Sequence, residues 1–127
     1  ISLYLHESST IEDMHKLVIK TRPLSVNEAW QGRRYKSPEY EAYESEVGYL
    51  LPKHTRPAPI EGKLEVRYRF HFKNHKARDW DNPVKPLQDV LVKLGIILDD
   101  RYIYRATVEK IPSSEDFVEI EILPFVE

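Results

Sequence analysis

Between Leu64 and Phe72 the chain alternates without a break. Leu64, Val66, Tyr68, Phe70 and Phe72 are apolar or aromatic, and Glu65, Arg67, Arg69 and His71 between them are polar. A period of two sends the first set to one side of a pleated strand and the second to the other. Such a strand is stable only inside a sheet with one packed face and one wet face, and the wet face here is basic. A chain of 127 residues has room for one such sheet and one covering layer, in a single domain.

The flanking segments supply that layer. Leu17-Val18-Ile19 reads as a short strand, and Arg22 to Lys36 as a loop carrying Trp30, Arg33, Arg34 and Tyr35, a mixture suited to touching nucleic acid. Ser37-Pro38 starts a helix, with serine as N-cap and proline at the first helical position. Tyr40, Tyr43, Val47, Leu50 and Leu51 recur along it at helical spacing until Pro52 stops it. A proline-rich connector, Pro52 to Pro59, leads to the alternating strand, and Lys73 to Ala77 is a turn. Asn82-Pro83 signals a second helix with Asn82 as cap. Its apolar stripe is Val84, Leu87, Val90, Leu91 and Leu94, and Gly95 ends it. Pro86 would remove the first backbone bond of a helix begun at Pro83, so the regular helix is expected from Pro86. Ile96-Ile97-Leu98 returns the chain to the core. Ala106–Ile111 and Phe117–Leu123 are two further strands, and the five residues between them read as the loop of an antiparallel hairpin. The class is α+β: a small, mostly antiparallel or mixed sheet with two main helices. Residues 1–13 read as an extension outside the fold, which begins near Met14.

There is no cysteine, which excludes disulfides and thiolate metal sites and permits an intracellular setting. No apolar run approaches the roughly 20 residues of a membrane span, and Ile1 to Leu5 lacks the basic flank of a secretory signal. The formal net charge of -2 conceals a segregation. Residues 53–78 carry eight Lys/Arg against two Asp/Glu, whereas residues 79–127 carry five against eleven. A basic block, including Arg67, Arg69, Lys76 and Arg78, runs straight into an acidic one. Beside a metal site, such a surface attracts a polyanion.

The junction of the two blocks carries the chemistry. Asp79 and Asp81 stand two apart at a strand end reached through the short turn, a spacing that points both the same way; Lys85 follows four residues later, and the pair Asp99-Asp100 lies beyond the second helix. If the chain folds back, these carboxylates meet beside a lysine, an arrangement suited to a hard divalent cation and a phosphate. Asp79, Asp81 and Asp100 are the candidate Mg²⁺ ligands, with Asp99 a further ligand or outer group and Mn²⁺ a substitute ion. Lys85 is placed to bind the scissile phosphate or offset charge in the transition state. A calcium-binding EF-hand does not fit, because the turn glycine and closing glutamate are missing. His71 and His75, at a strand end, do not converge as zinc ligands. As separate motifs these residues are also compatible with a phosphotransferase loop, or with a DNA-binding module holding a structural cation.

Asp79-x-Asp81-Asn82-x-x-Lys85, then Lys93-x-Gly95 and Leu98-Asp99-Asp100, resembles the RusA family of phage-derived Holliday junction resolvases. Pro23-Leu24-Ser25-Val26-Asn27 and Gly32-Arg33-Arg34-Tyr35 fit the same pattern. The resemblance covers Met14 to Leu123 and implies that residues 14–127 form a nuclease domain. It implies a magnesium-dependent, homodimeric endonuclease of DNA recombination and repair that cuts four-way DNA junctions symmetrically in a bacterial or phage-encoded, cytoplasmic setting. Asp79, Asp81 and Asp100 match the family's metal-binding carboxylates, Lys85 its catalytic lysine and Arg78 a basic residue at the DNA surface. A less selective nuclease acting on flaps and forks shares all of these features.

Overall fold

The computed structural model describes residues 15–31, 35–51 and 62–127. The N-terminal extension, Arg33, Arg34 and the Pro52–Pro59 connector lie outside the described residues, as do the side chains of Trp30 and Tyr35. The strands are β1 (His15–Ile19), β2 (Trp30–Gln31), β3 (Tyr35–Lys36), β4 (Leu64–Phe72), β5 (Ile103–Pro112) and β6 (Phe117–Pro124). The helices are α1 (Val26–Ala29), α2 (Pro38–Leu50) and α3 (Val84–Lys93). Four strands form one mixed sheet in the order β1-β6-β4-β5, while β2 and β3 make a small ribbon. The α+β class expected from the patterning is the one found.

Alternation along β4 sets the layering. Leu64, Val66, Tyr68, Phe70 and Phe72 are all buried, and Ile122, Ile120 and Val118 of β6 stand directly opposite Val66, Tyr68 and Phe70. Leu17 and Ile19 of β1 continue the same face. Tyr40, Tyr43 and Val47 of α2 and Leu87, Val90 and Leu91 of α3 join these strands in one core cluster. Ser37 caps α2 as expected, its Oγ accepting from the Tyr40 amide at 3.1 Å.

The expected hairpin is not there. β5 and β6 do not pair with each other. β4 lies between them, parallel to β5 and antiparallel to β6. Ser113 to Asp116 instead wrap the end of β4, where the Ser113 amide donates to the Phe72 carbonyl and the Lys73 amide to Asp116 Oδ1. Two strand spacings are roughly 10 Å, a gap that four extended residues cross easily. A short loop is therefore compatible with a third strand inserted between its ends.

Two expectations about α3 also change. The helix begins at Val84, with Pro83 at the cap position and no side-chain cap. Pro86 is its third residue, where the amide would have no helical partner anyway, so the ring costs no hydrogen bond. Asn82 does not cap the helix; its side chain turns back to Asp79. At the other end Gly95 adopts φ +78°. Its amide donates to Val92 and the next amide to Leu91, closing the helix on a left-handed residue.

Candidate active site

The candidate acidic residues and Lys85 lie on three segments. The first is the bend from Arg78 to Pro83. Strand β4 ends at Phe72, and a 3-10 turn (His75–Ala77) intervenes, so Asp79 and Asp81 stand on a bend and not on a strand end. This bend is pinned from both sides: the Val26 amide donates to the Asn82 carbonyl at 2.9 Å, and Lys110 Nζ of β5 to the Arg78 carbonyl at 2.8 Å. The second segment is the first two turns of α3, and the third is the 3-10 turn Asp100–Tyr102 that leads into β5.

Lys85 and Asp100, fifteen positions apart in sequence, meet with Nζ 3.1 Å from Oδ2. The same ammonium lies 2.8 Å from Asp89 Oδ1, one helical turn further on. Hydrogen bonding to Asp89, then to Asp100, raises the Lys85 pKa above its ordinary value despite partial desolvation, so this lysine is a fixed cation. Asp100 is pulled the other way, chiefly by Lys85, and stays ionised. Gln88 supports it with Nε2 3.5 Å from Oδ2, and the buried Tyr68 hydroxyl donates to Gln88 Oε1 at 3.1 Å. Burial, with the charge of Asp100, pushes the Tyr68 hydroxyl well above its ordinary range, so it remains a donor. A relay thus runs from the middle of β4 through α3 to Asp100.

On the bend, Asp79 Oδ2 accepts from the Asn82 side chain at 3.0 Å. Asp81 is exposed, and its carboxylate has no hydrogen bond or ion pair among the described residues. Asp99 caps its turn, with Oδ1 accepting from the Arg101 amide at 3.0 Å. Beside Asp79 lies a cleft of about 220 Å³ whose walls include Ser25, Asn27, Phe72, Arg78 and Asn82. Arg78 is held there over the Phe72 ring, 5.6 Å from its centroid, with Nη1 4.0 Å from Glu28 Oε1. Its Nε is buried without a partner among the described residues. Arg22 braces Glu28 at 2.9 Å and holds the Glu28 carboxyl below its ordinary pKa.

These oxygens have the chemistry a hard divalent cation requires. Among the described residues, however, no three carboxylate or imidazole side chains come together as a ligand set. The positive charge beside Asp100 is that of Lys85.

Arg67 and Arg69 are not brought to the cluster. They point from the opposite face of the sheet, where Glu65, Glu109 and Glu121 engage them. Arg69 Nη1 and Glu121 Oε1 are hydrogen-bonded, and Arg67 Nε lies 3.0 Å from Glu65 Oε2. The wet face of β4 is thus a lattice of both charges, because β5 and β6 add Glu109 and Glu121 to the strand's own Glu65. Lys76 is exposed on the 3-10 turn before Arg78.

Asp89, Gln88, Tyr68 and Glu28 were not anticipated as part of the site. Asp89 had a visible signal, since it stands at i+4 from Lys85 on one helix face. The others are reached only through tertiary packing.

Comparison with known proteins identifies the family. Residues 16–123 match the family profile described as Endodeoxyribonuclease RusA. The crossover junction endodeoxyribonuclease RusA of Aquifex aeolicus (strain VF5) is 32% identical over 95 residues, 74% of this chain and 75% of that protein. A family match over most of the chain and a relative of that similarity lead to one conclusion: the chain belongs to the RusA family of endodeoxyribonucleases.

Proposed function

We propose that this enzyme is a magnesium-dependent, structure-specific endodeoxyribonuclease that resolves four-way DNA junctions as a homodimer in a bacterial cytoplasm. The observation that supports the reading is the Lys85–Asp100 contact, which joins two motifs distant in sequence across α3. Asp79, Asp81 and Asp100 would hold Mg²⁺, or Mn²⁺ in its place, with Asp99 outside them fixing the Asp100 turn. The bound ion supplies a more nucleophilic water and offsets charge on the phosphate.

The remaining steps belong to the chain. Hydrolysis joins a water oxygen to phosphorus and breaks one P–O bond, leaving an oxygen that takes up a proton. Lys85, kept protonated by Asp89 and Asp100, offers a cation and an N–H donor for the charge that develops there. Arg78 and Lys76 bind the backbone beside the cleft, without reading sequence. A two-fold pair of subunits presents two such sites to the two symmetric strands of a junction.

The test is cleavage of a labelled mobile four-way junction, with flaps, forks and plain duplex as comparisons. Asp81→Asn should bind the junction and leave it intact in Mg²⁺. Undiminished cutting by that variant overturns the assignment. Equal cutting of flaps and junctions favours the broader nuclease, and binding without scission under any divalent ion favours a non-catalytic module.

A further inference from the structure

On the core face of β4, Leu64, Val66, Phe70 and Phe72 are wholly apolar, and Tyr68 among them ends in a hydroxyl. Tyr68 is completely buried, stacked on Phe70 at 5.8 Å and set between Val108 of β5 and Ile120 of β6. Phenylalanine would fill that space as well. The hydroxyl therefore adds nothing to the packing and costs stability unless it is hydrogen-bonded. Its partner is Gln88 Oε1 at 3.1 Å, and Gln88 Nε2 lies in turn 3.5 Å from Asp100 Oδ2. Chemistry fixes the direction of this chain. An ionised carboxylate only accepts, so the amide turns its NH2 to Asp100 and its oxygen to Tyr68, which must then donate.

We infer that Tyr68 and Gln88 are positioning residues of the candidate site, which together set the rotation of the Asp100 carboxylate. Asp100 opens an exposed 3-10 turn, whose backbone does not dictate where its oxygens face. Lys85 Nζ reaches the same Oδ2 at 3.1 Å from the same face of α3. The two donors do different things. An ammonium on a flexible stem is a point charge that supplies attraction more than direction. A planar amide, held at its far end by a ring locked inside the sheet, supplies direction. Without the Tyr68 hydroxyl that amide is free to turn over. Oε1 would then face Oδ2, two acceptors with no proton between them.

The inference rests on the reading of Asp100 as a working carboxylate of the site, and its coupling is measured without DNA or metal. In a nitrogen-15 spectrum of the full chain, the Gln88 side-chain amide is assigned by its loss in Gln88→Met. That resonance should move both in Tyr68→Phe and in Asp100→Asn, which alter opposite ends of the amide. Single-turnover cleavage of a four-way junction in Mg²⁺ supplies the second readout. Gln88→Met should cut about tenfold more slowly, and Tyr68→Phe several-fold more slowly, each with unchanged junction affinity and circular dichroism. Added to Gln88→Met, Tyr68→Phe should slow cleavage no further, because it acts through the amide alone. A tyrosine that served only the core would slow both backgrounds equally. A Gln88 resonance that stays in place in either variant overturns the inference, and so does full additivity of the two substitutions. A wild type that cuts no junction overturns the proposed function alone, since the resonance shifts still decide the coupling.

Discussion

At the scale of single residues, Lys85 is defined by the carboxylates around it. Removing its charge with Lys85→Met should lower the cleavage rate by on the order of 10²-fold with little change in junction affinity, read from single-turnover kinetics. Asp89→Asn should leave junction binding intact and slow cleavage on the order of tenfold, with a pH profile shifted because Lys85 loses its largest source of raised pKa. Glu28 gives a stability prediction of definite sign. Its carboxyl is held below its ordinary value of 4.5 in the folded chain, chiefly by Arg22. The folded state therefore gains stability from the ionised form above that value and loses it as pH falls through the lower, folded pKa. Glu28→Gln should lower stability by about 1 kcal/mol or less near neutrality, given solvent screening. Thermal melts of the two proteins should converge at acid pH. Most of this site was legible as residue types: Asp79, Asp81, Lys85 and Asp100 announce themselves by chemistry and spacing. The bracing residues were not, because Tyr68 looks like any core aromatic until its hydroxyl is seen to reach Gln88.

At the scale of elements, patterning settled what each segment is better than what it touches. The β4 alternation and the Ser37-Pro38 start of α2 were readable because local backbone physics determines them. Ser37→Ala should cost about 1 kcal/mol in a denaturant titration through the lost cap. Gly95→Ala should cost about 1–2 kcal/mol without any steric clash. An added Cβ there meets open space, so the whole penalty is that of the positive φ. The pairing of β5 and β6 was misread because adjacency in sequence carries no record of a strand laid between them. The wet face of β4 differs from its local pattern for the same reason: alternation identifies Arg67 and Arg69 as outward, but beside Glu65 of the same strand the glutamates that neutralise them come from β5 and β6.

At the scale of the whole molecule, the charge segregation along the sequence is largely cancelled in space. Arg67 and Arg69 of the basic strand are engaged by internal pairs, whereas Arg78 lines the cleft and Lys76 is exposed on the turn before it. Junction affinity should fall as salt rises. In Lys76→Ala the slope of log affinity against log salt should drop by about one contact, whereas Arg67→Ala should leave that slope unchanged. The strand order β1-β6-β4-β5 has a temporal consequence as well. Among the described strands β6 is synthesised after the other five, yet it is the sheet partner of β1 and half the pairing of β4. A nascent chain that has produced every candidate catalytic residue still lacks the centre of its sheet. Chains stalled before Phe117 should be cut readily by protease, and released full-length chains should resist. A DNA-cutting enzyme built in this order should stay inert until β6 is in place.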